Sequence, residues 1–312
     1  MKQTLSPYLH FNRKAWRALR QDMPLLLSEV EAQALRGQID VVSLAEIETI
    51  YLPLSRLLSL YVTAHQELYR ATAVFLGHQI PKVPYIIGVS GSVAVGKSTT
   101  SRVLKALLSR WSNHPRVSVI TTDGFLLPLK ELQKRRLMER KGFPESYDLP
   151  HLLRVLHDVK AGMQQVKVPV YSHHHYDIVP DQYEVIEEPD IVILEGLNIL
   201  QTPAVSQEKS AVFVSDFLDF SVFVDAHSAQ LATWFQQRVL QFWRGPFQAP
   251  DSYFHHLSLL TEAEVIAFAD RVWREINEVN LLNNILPYRE RAHLILRKGE
   301  AHQVTDVWLR KI

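Results

Sequence analysis

The chain has 312 residues, with 34 lysines and arginines against 33 aspartates and glutamates, a net charge of +1, and no cysteine. Its 47% hydrophobic and 21% charged content is that of an ordinary globular protein, long enough to bury a core without covalent staples. Disulfides, thiolate metal sites and a cysteine nucleophile are excluded, the balanced charge leaves no footprint for bulk nucleic-acid binding, and no run of about eighteen apolar residues offers a membrane span.

The opening stretch, MKQTLSPYLHFNRKAW, lacks the apolar run of a secretory signal, so a cytoplasmic location is expected. Residues 1–80 read as helical. Ser28 with Glu31 and Ser43 with Glu46 both have the spacing of a capping box. After the second, Ile47, Ile50, Tyr51, Leu54, Leu57, Leu58 and Tyr61 recur at helical intervals and predict one amphipathic helix from about 44 to 77, with a face that must pack on the core or on a partner chain. At Pro84 the pattern changes. Residues 85–90 form a short β-branched apolar run, the mark of a buried strand, followed by a glycine turn and a helix from about 97 to 111. Further strands are expected at 116–122, 190–195 and 219–224, with helical segments near 129–140, 151–161, 228–243 and 262–280. Alternation of this kind predicts a parallel sheet with helices on both faces. Runs at 292–296 and 304–309 add edge strands. No repeat, low-complexity tract or linker interrupts the chain.

The decisive motif joins the first strand to the helix after it. Gly91, Ser92, Val93, Ala94, Val95, Gly96, Lys97 and Ser98, followed by Thr99, match G-x-x-x-x-G-K-[ST] at every fixed position. Glycines there let backbone N–H groups turn inward around phosphate oxygens, and the helix N-terminus adds partial positive charge. Lys97 would bridge the β- and γ-phosphates of ATP, and Ser98 would ligate Mg²⁺. The expected fold is therefore α/β, a three-layer sandwich of P-loop NTPase type with a mainly parallel sheet: a single kinase domain over 1–312, in which 1–80 is a helical N-terminal extension and 84–312 the nucleotide- and substrate-binding core.

Other residues leave more than one reading open. Asp123 follows a strand and precedes Gly124; it either accepts a hydroxyl proton or holds the hydroxyl in line with the γ-phosphate, or it caps the next turn. Glu195 ends the strand 190–195, as a metal-steadying carboxylate or as a strand-end surface acid. Residues 171–177 read Tyr-Ser-His-His-His-Tyr-Asp. Adjacent histidines diverge too much to gather on one metal ion, and a polar substrate loop presenting Tyr171, His173 and Tyr176 fits better. Arg238 and Arg244 flank an aromatic stretch. Each is either a basic group closing over triphosphate or part of a solvated helix face.

With these residues in view the chain resembles the bacterial type I pantothenate kinases, nearly end to end. The resemblance runs through Pro7-Tyr-Leu-His-Phe, Ile50-Tyr-Leu-Pro-Leu-Ser-Arg-Leu-Leu, the phosphate loop, Thr121-Thr-Asp-Gly-Phe, Lys141-Gly-Phe-Pro-Glu-Ser-Tyr-Asp148, Pro169-Val-Tyr-Ser-His, Leu194-Glu-Gly-Leu-Asn, Pro250-Asp-Ser-Tyr-Phe254 and Asn284-Ile-Leu-Pro-Tyr-Arg. It implies ATP-dependent phosphorylation of the primary hydroxyl of pantothenate, the first committed step of coenzyme A synthesis. Asp123 falls on the family's catalytic aspartate and Lys97 on its phosphate lysine. Tyr171, Tyr176, Arg238 and Asn277 fall on residues lining the pantothenate site, with Asn280 close in register to Asn277, and Phe247 and Phe254 fall on aromatics over the pantothenate tail. The resemblance further implies inhibition by coenzyme A in competition with ATP, through Lys97, Arg102 and His173, and a homodimer for which the long N-terminal helix is the candidate contact. The chain departs from the family at Phe235, where a tyrosine is usual, at Trp243, where an arginine is usual, and at His174 and His175, where some relatives carry apolar residues. A uridine kinase-like or phosphoribulokinase-like acceptor is the alternative within kinases. An ATP-binding regulatory protein without turnover is the alternative outside them, although Lys97, Ser98, Asp123 and Glu195 are all intact.

Overall fold

The computed structural model describes residues 6–35, 42–77, 82–113, 115–202 and 212–311; the parts of the expected N-terminal extension at 1–5, 36–41 and 78–80 lie outside the described residues. The extension is not helical throughout. Tyr8–Asn12 is a strand, β1, antiparallel to the last strand of the chain with Leu9 opposite Leu309. Its pairing partner comes from the other end of the sequence, so no local signal announces it. Asn12 then caps α1 (Arg13–Ala18) by accepting from the Ala15 N–H. Trp16 is buried, and its indole donates to the Ile50 carbonyl at 3.0 Å. The capping box at Ser28 and Glu31 forms in full and starts α2 (Glu29–Ala34). The box expected at Ser43 and Glu46, before α3 (Leu44–Glu46), forms by half. Ser43 Oγ accepts from Glu46 N–H, but the Glu46 carboxylate accepts from the Val304 N–H at 2.8 Å and pairs with Arg13 at 2.7 Å. A buried strand N–H must find an acceptor, and that demand overrides the local motif.

The helix predicted at 44–77 is present and carries a wide turn. It runs from α3 through a π-helical turn, Ile47–Tyr51, into α4 (Leu52–Leu76), and Gly77 closes it at φ 71°. Pro53 explains the wide turn. A proline lacks the N–H for the bond back to residue i−4 and collides with that carbonyl, and one extra residue in the preceding turn relieves both faults. Ile47, Ile50, Tyr51, Leu54 and Leu58 are buried against the core.

The remaining strands are β2 (Tyr85–Gly91), β3 (Val117–Thr121), β4 (Gln165–Ser172), β5 (Asp177–Glu187), β6 (Ile191–Glu195), β7 (Phe220–Asp225), β8 (Leu294–Lys298) and β9 (Val304–Arg310). Seven form one sheet in the order β1-β9-β8-β7-β2-β6-β3. The five from β8 to β3 are parallel, and β9 and β1 complete one edge antiparallel. Every residue of β2, β6 and β7 is buried, as strands covered on both faces must be. Helices α5 (Lys97–Leu108), α6 (Leu129–Lys134), α7 (Leu149–Lys160), α8 (Ser228–Arg244), α9 (Glu262–Val272) and α10 (Glu278–Asn280) lie between and after the strands. The helix expected at 129–140 ends at Lys134, ahead of Arg136 at φ 58°. The one expected at 262–280 continues to Ile285 through two π-helical turns.

The largest departure is a two-stranded hairpin, β4 with β5, outside the main sheet. Sequence reading gave a polar loop over 171–177; the structure confines the turn to 173–176. Most of β5 is exposed, so it carries no alternation of apolar and polar residues to betray it.

Candidate active site

Strand β2 lies between β6 and β7, but the chain leaving it through α5 enters β3 on the far side of β6. The order therefore reverses direction at β2, and ligands of open α/β sheets bind in the crevice at the carboxyl ends of such strands. Gly91, at φ 142°, ends β2 there; a Cβ at this position would lie 2.3 Å from the Val224 carbonyl oxygen. The loop can therefore hug β7 only without a side chain. Gly96, in a left-handed conformation, leads into α5. Lys97 Nζ donates to the Ser92 carbonyl of the same loop at 2.9 Å. Burial pulls the Lys97 pKa down, and Glu195 and Asp123 oppose that shift. Ser98 Oγ donates to Glu195 Oε1 at 2.6 Å. Glu195 is buried; burial raises its pKa, against Lys97 and Ser98. The hydroxyl and the carboxylate are hard oxygen donors at the foot of a phosphate loop, a donor set suited to Mg²⁺, which needs few protein ligands.

Asp123 stands in a short 3-10 turn just beyond β3. The hairpin docks on this turn: a Cβ at Gly124 would sit 2.2 Å from the Pro169 carbonyl oxygen. The Asp123 charge acts on Lys97, Glu195 and Arg238 on one side, and on Lys141, Tyr147, Tyr171, His173 and Tyr176 on the other. Burial lowers the Arg238 pKa, while Asp123 and Glu195 oppose it. Its guanidinium also sits 5.3 Å from the centre of the Phe242 ring. Arg244, by contrast, points to solvent and pairs with Glu262 at 2.9 Å, so of the two arginines singled out only Arg238 joins the cleft.

Beyond Asp123 the cleft is aromatic. The Tyr176 ring lies 4.8 Å from Phe254 and 5.1 Å from Tyr253; Phe247 lies 4.9 Å from Phe254 and 5.5 Å from Phe242. Burial raises the Tyr171 pKa and pushes that of Tyr176 up to about 12, so both phenols stay protonated and can donate. The three histidines do not gather at one point: the His173 ring packs edge-on to Tyr171, whereas His174 pairs with Asp251 at 2.9 Å and packs edge-on to His175. Trp243 donates to the Leu257 carbonyl at 3.0 Å, and Phe235 packs 6.0 Å from Trp273. Asn277 is half-buried and its side chain has no hydrogen bond among the described residues, whereas Asn280 is buried, with its amide bonded to Gly142 and Asn284. On the nucleotide side, Arg102 donates to the Leu35 carbonyl at 3.1 Å and to Thr99 Oγ1 at 3.3 Å.

Sequence reasoning missed Lys141 as a site residue. Its ammonium lies 3.5 Å from the centre of the Tyr176 ring and 5.2 Å from that of Tyr171, and donates to the Tyr176 carbonyl. Burial lowers its pKa to about 8, with Asp177 and Asp123 opposing. No spacing rule marks a lone lysine in Lys141-Gly-Phe-Pro; only the string's likeness to a family motif drew notice to it.

Comparison with known proteins sets this arrangement among the kinases. The Phosphoribulokinase / Uridine kinase family description matches residues 86–238. Over 309 residues the chain is 61% identical to a pantothenate kinase of Coxiella burnetii, covering 99% of this chain and 97% of that one. It is 55% identical over 312 residues to a pantothenate kinase of Parvibaculum lavamentivorans, covering 99% and 95%. Among solved structures, D-glycerate 3-kinase from Cryptococcus neoformans superposes with a TM-score of 0.55 at 14% identity, over 80% of this chain and 97% of that one; that likeness is one of fold.

Proposed function

The chain belongs to the pantothenate kinase family, and from that premise we propose that it moves the γ-phosphoryl group of ATP to the primary hydroxyl of pantothenate, yielding 4'-phosphopantothenate for coenzyme A synthesis. The observation that carries this reading is the position of Asp123. One carboxylate acts at once on the half-buried cations of the phosphate loop and α8, Lys97 and Arg238, and on the tyrosine-lined cleft of the hairpin. An alcohol entering from the tyrosine side would meet the base and the phosphate together.

In this mechanism backbone N–H groups of residues 91–99 cradle the phosphates, with Lys97 between the β- and γ-oxygens. Asp123 accepts the hydroxyl proton and aims the oxygen at phosphorus. Arg238 stabilises the charge spreading over the transferred group, and Lys141 adds a second positive charge on the acceptor side. Ser98 and Glu195 would hold Mg²⁺, whose chemistry is to neutralise charge on the β- and γ-oxygens. Tyr171, His173, Tyr176 and Asn277 offer polar contacts to pantothenate, and Phe247 and Phe254 cover its apolar middle. The amide of Asn277, without a partner among the described residues, supports that residue over Asn280, whose amide is already engaged.

The proposal extends to three properties. Coenzyme A would compete with ATP at Lys97, with Arg102 and His173 at the two sides of the cleft. The enzyme would be cytoplasmic. It would also be a homodimer through α4, where Leu60, Leu68 and Phe75 are 56%, 67% and 86% exposed and recur at intervals that share one helix face; sedimentation would test this. The test of the central reading is ADP release with pantothenate, uridine or ribulose 5-phosphate as acceptor. Turnover with pantothenate and mass-spectrometric detection of its phosphate ester are expected. Turnover confined to either sugar compound would overturn the assignment.

A further inference from the structure

Lys141 is placed by the residue that follows it. Gly142 has φ 91°, a backbone conformation that side chains strain to adopt. Both polar groups of its backbone are engaged by side chains. The Gly142 N–H donates to Ser146 Oγ at 2.9 Å. The Gly142 carbonyl accepts two amides, Asn198 Nδ2 at 3.0 Å and Asn280 Nδ2 at 2.9 Å. Asn280 is itself held, because its Oδ1 accepts from Asn284 Nδ2 at 2.9 Å. Asn198 and Asn280 belong to different parts of the fold: one lies three residues past Glu195 at the end of β6, the other ends α10, three residues past Asn277. Two donors converging on one carbonyl exceed what burial demands, since one satisfies it. The grip lies at the base of the only described lysine that stacks on both Tyr171 and Tyr176.

We infer that Asn198 and Asn280 are positioning residues for the acceptor cleft: their amides grip the Gly142 carbonyl from two elements and so hold the Lys141 ammonium against the Tyr171 and Tyr176 rings. This rests on the pantothenate kinase reading. Neither asparagine need touch substrate. The grip links the strand end that carries Glu195 and the helix that carries Asn277 to the lysine facing the acceptor, so the two sides of the cleft keep a fixed spacing. Positioning errors of this sort act on transition-state geometry far more than on nucleotide binding.

A double-mutant cycle tests the inference. Asn198→Ala, Asn280→Leu and Lys141→Met are made singly, and each asparagine change is combined with Lys141→Met; kcat/KM for pantothenate, the affinity of a fluorescent ATP analogue and the melting temperature are measured. Each asparagine change is expected to lower kcat/KM about tenfold or more in the otherwise intact enzyme, to leave nucleotide affinity within about twofold, and to lower kcat/KM by less than about twofold where Lys141 is already methionine. Full repetition of the loss in the Lys141→Met background overturns the inference, as does an equal loss of nucleotide affinity. If Asn280→Leu does not fold, the half-buried Asn198→Ala carries the same comparison. Failure of the unmutated enzyme to turn over pantothenate would refute the reading beneath; normal turnover with additive variants refutes the positioning role alone.

Discussion

The nucleotide side and the acceptor side of the cleft are built on opposite plans. In the proposed site nine consecutive residues, 91–99, supply the phosphate cradle, and most of what they supply is backbone. The proposed acceptor side takes Lys141 from one loop, Tyr171 and Tyr176 from the hairpin, Arg238 from α8, Phe247 and Phe254 from the turns after it, and Asn277 from a π-helical turn. A site made of backbone needs a fixed local conformation, and a short motif can encode it. A site made of side chains from five segments exists only once the sheet, the hairpin and the C-terminal helices have docked. The cradle, moreover, admits almost no side chain at Gly91.

The comparison can be broken most forcefully at Asp123, where the two plans meet. Asp123→Ala is expected to reduce phosphorylation of pantothenate by about 10²–10⁴-fold while a fluorescent ATP analogue still binds; loss of nucleotide affinity in step with turnover would place this residue in the nucleotide half. Gly91→Ala probes the backbone-built half. With φ at 142° and a Cβ directed 2.3 Å from the Val224 carbonyl, it should cost about 3 kcal/mol or more of stability in urea unfolding. A change below about 1 kcal/mol would show the cradle to be less constrained than its geometry requires.

Lys141 sharpens the acceptor half through pH. Its pKa in the folded protein is lowered to about 8 from 10.5, so the ammonium loses its proton as pH rises past 8. The pH profile of kcat/KM for pantothenate should therefore fall above pH 8, by about tenfold per unit at its steepest, and the fall should vanish in Lys141→Met. Between pH 8 and 10.5 the unfolded chain binds more protons at this position than the folded one, so the group's contribution to stability rises with pH across that window; a profile unchanged by Lys141→Met would remove the lysine from the mechanism. The smallest effect is expected at Phe235, which packs against Trp273. Phe235→Tyr adds a hydroxyl to the acceptor wall and should lower the KM for pantothenate by about 2–10-fold, the value of one added hydrogen bond. A rise in KM would show that the hydroxyl meets apolar surface.

Much of the fold was legible before any coordinates. The buried parallel strands are continuous apolar runs, and the helices between them keep their period, so apart from the β4–β5 hairpin the order of elements from 85 onward followed from pattern. The misreadings share a cause. β1 pairs with residues at the far end of the chain, Glu46 leaves its capping box for the Val304 N–H, and the β4–β5 hairpin is too exposed to show alternation. Each depends on a partner distant in sequence, which no window of ten or twenty residues contains.

By itself, then, the sequence determined the phosphate cradle, the carboxylates at two strand ends and the α/β order, because each is written in neighbouring residues whose conformations are locally constrained. The tertiary structure alone decided that Lys141 packs on Tyr171 and Tyr176, that Arg244 turns to solvent and pairs with Glu262, and that Asn280 grips a backbone carbonyl while the Asn277 side chain has no hydrogen bond among the described residues. Those outcomes turn on which side chains converge once distant segments pack, and convergence is a property of the folded chain rather than of any stretch of it.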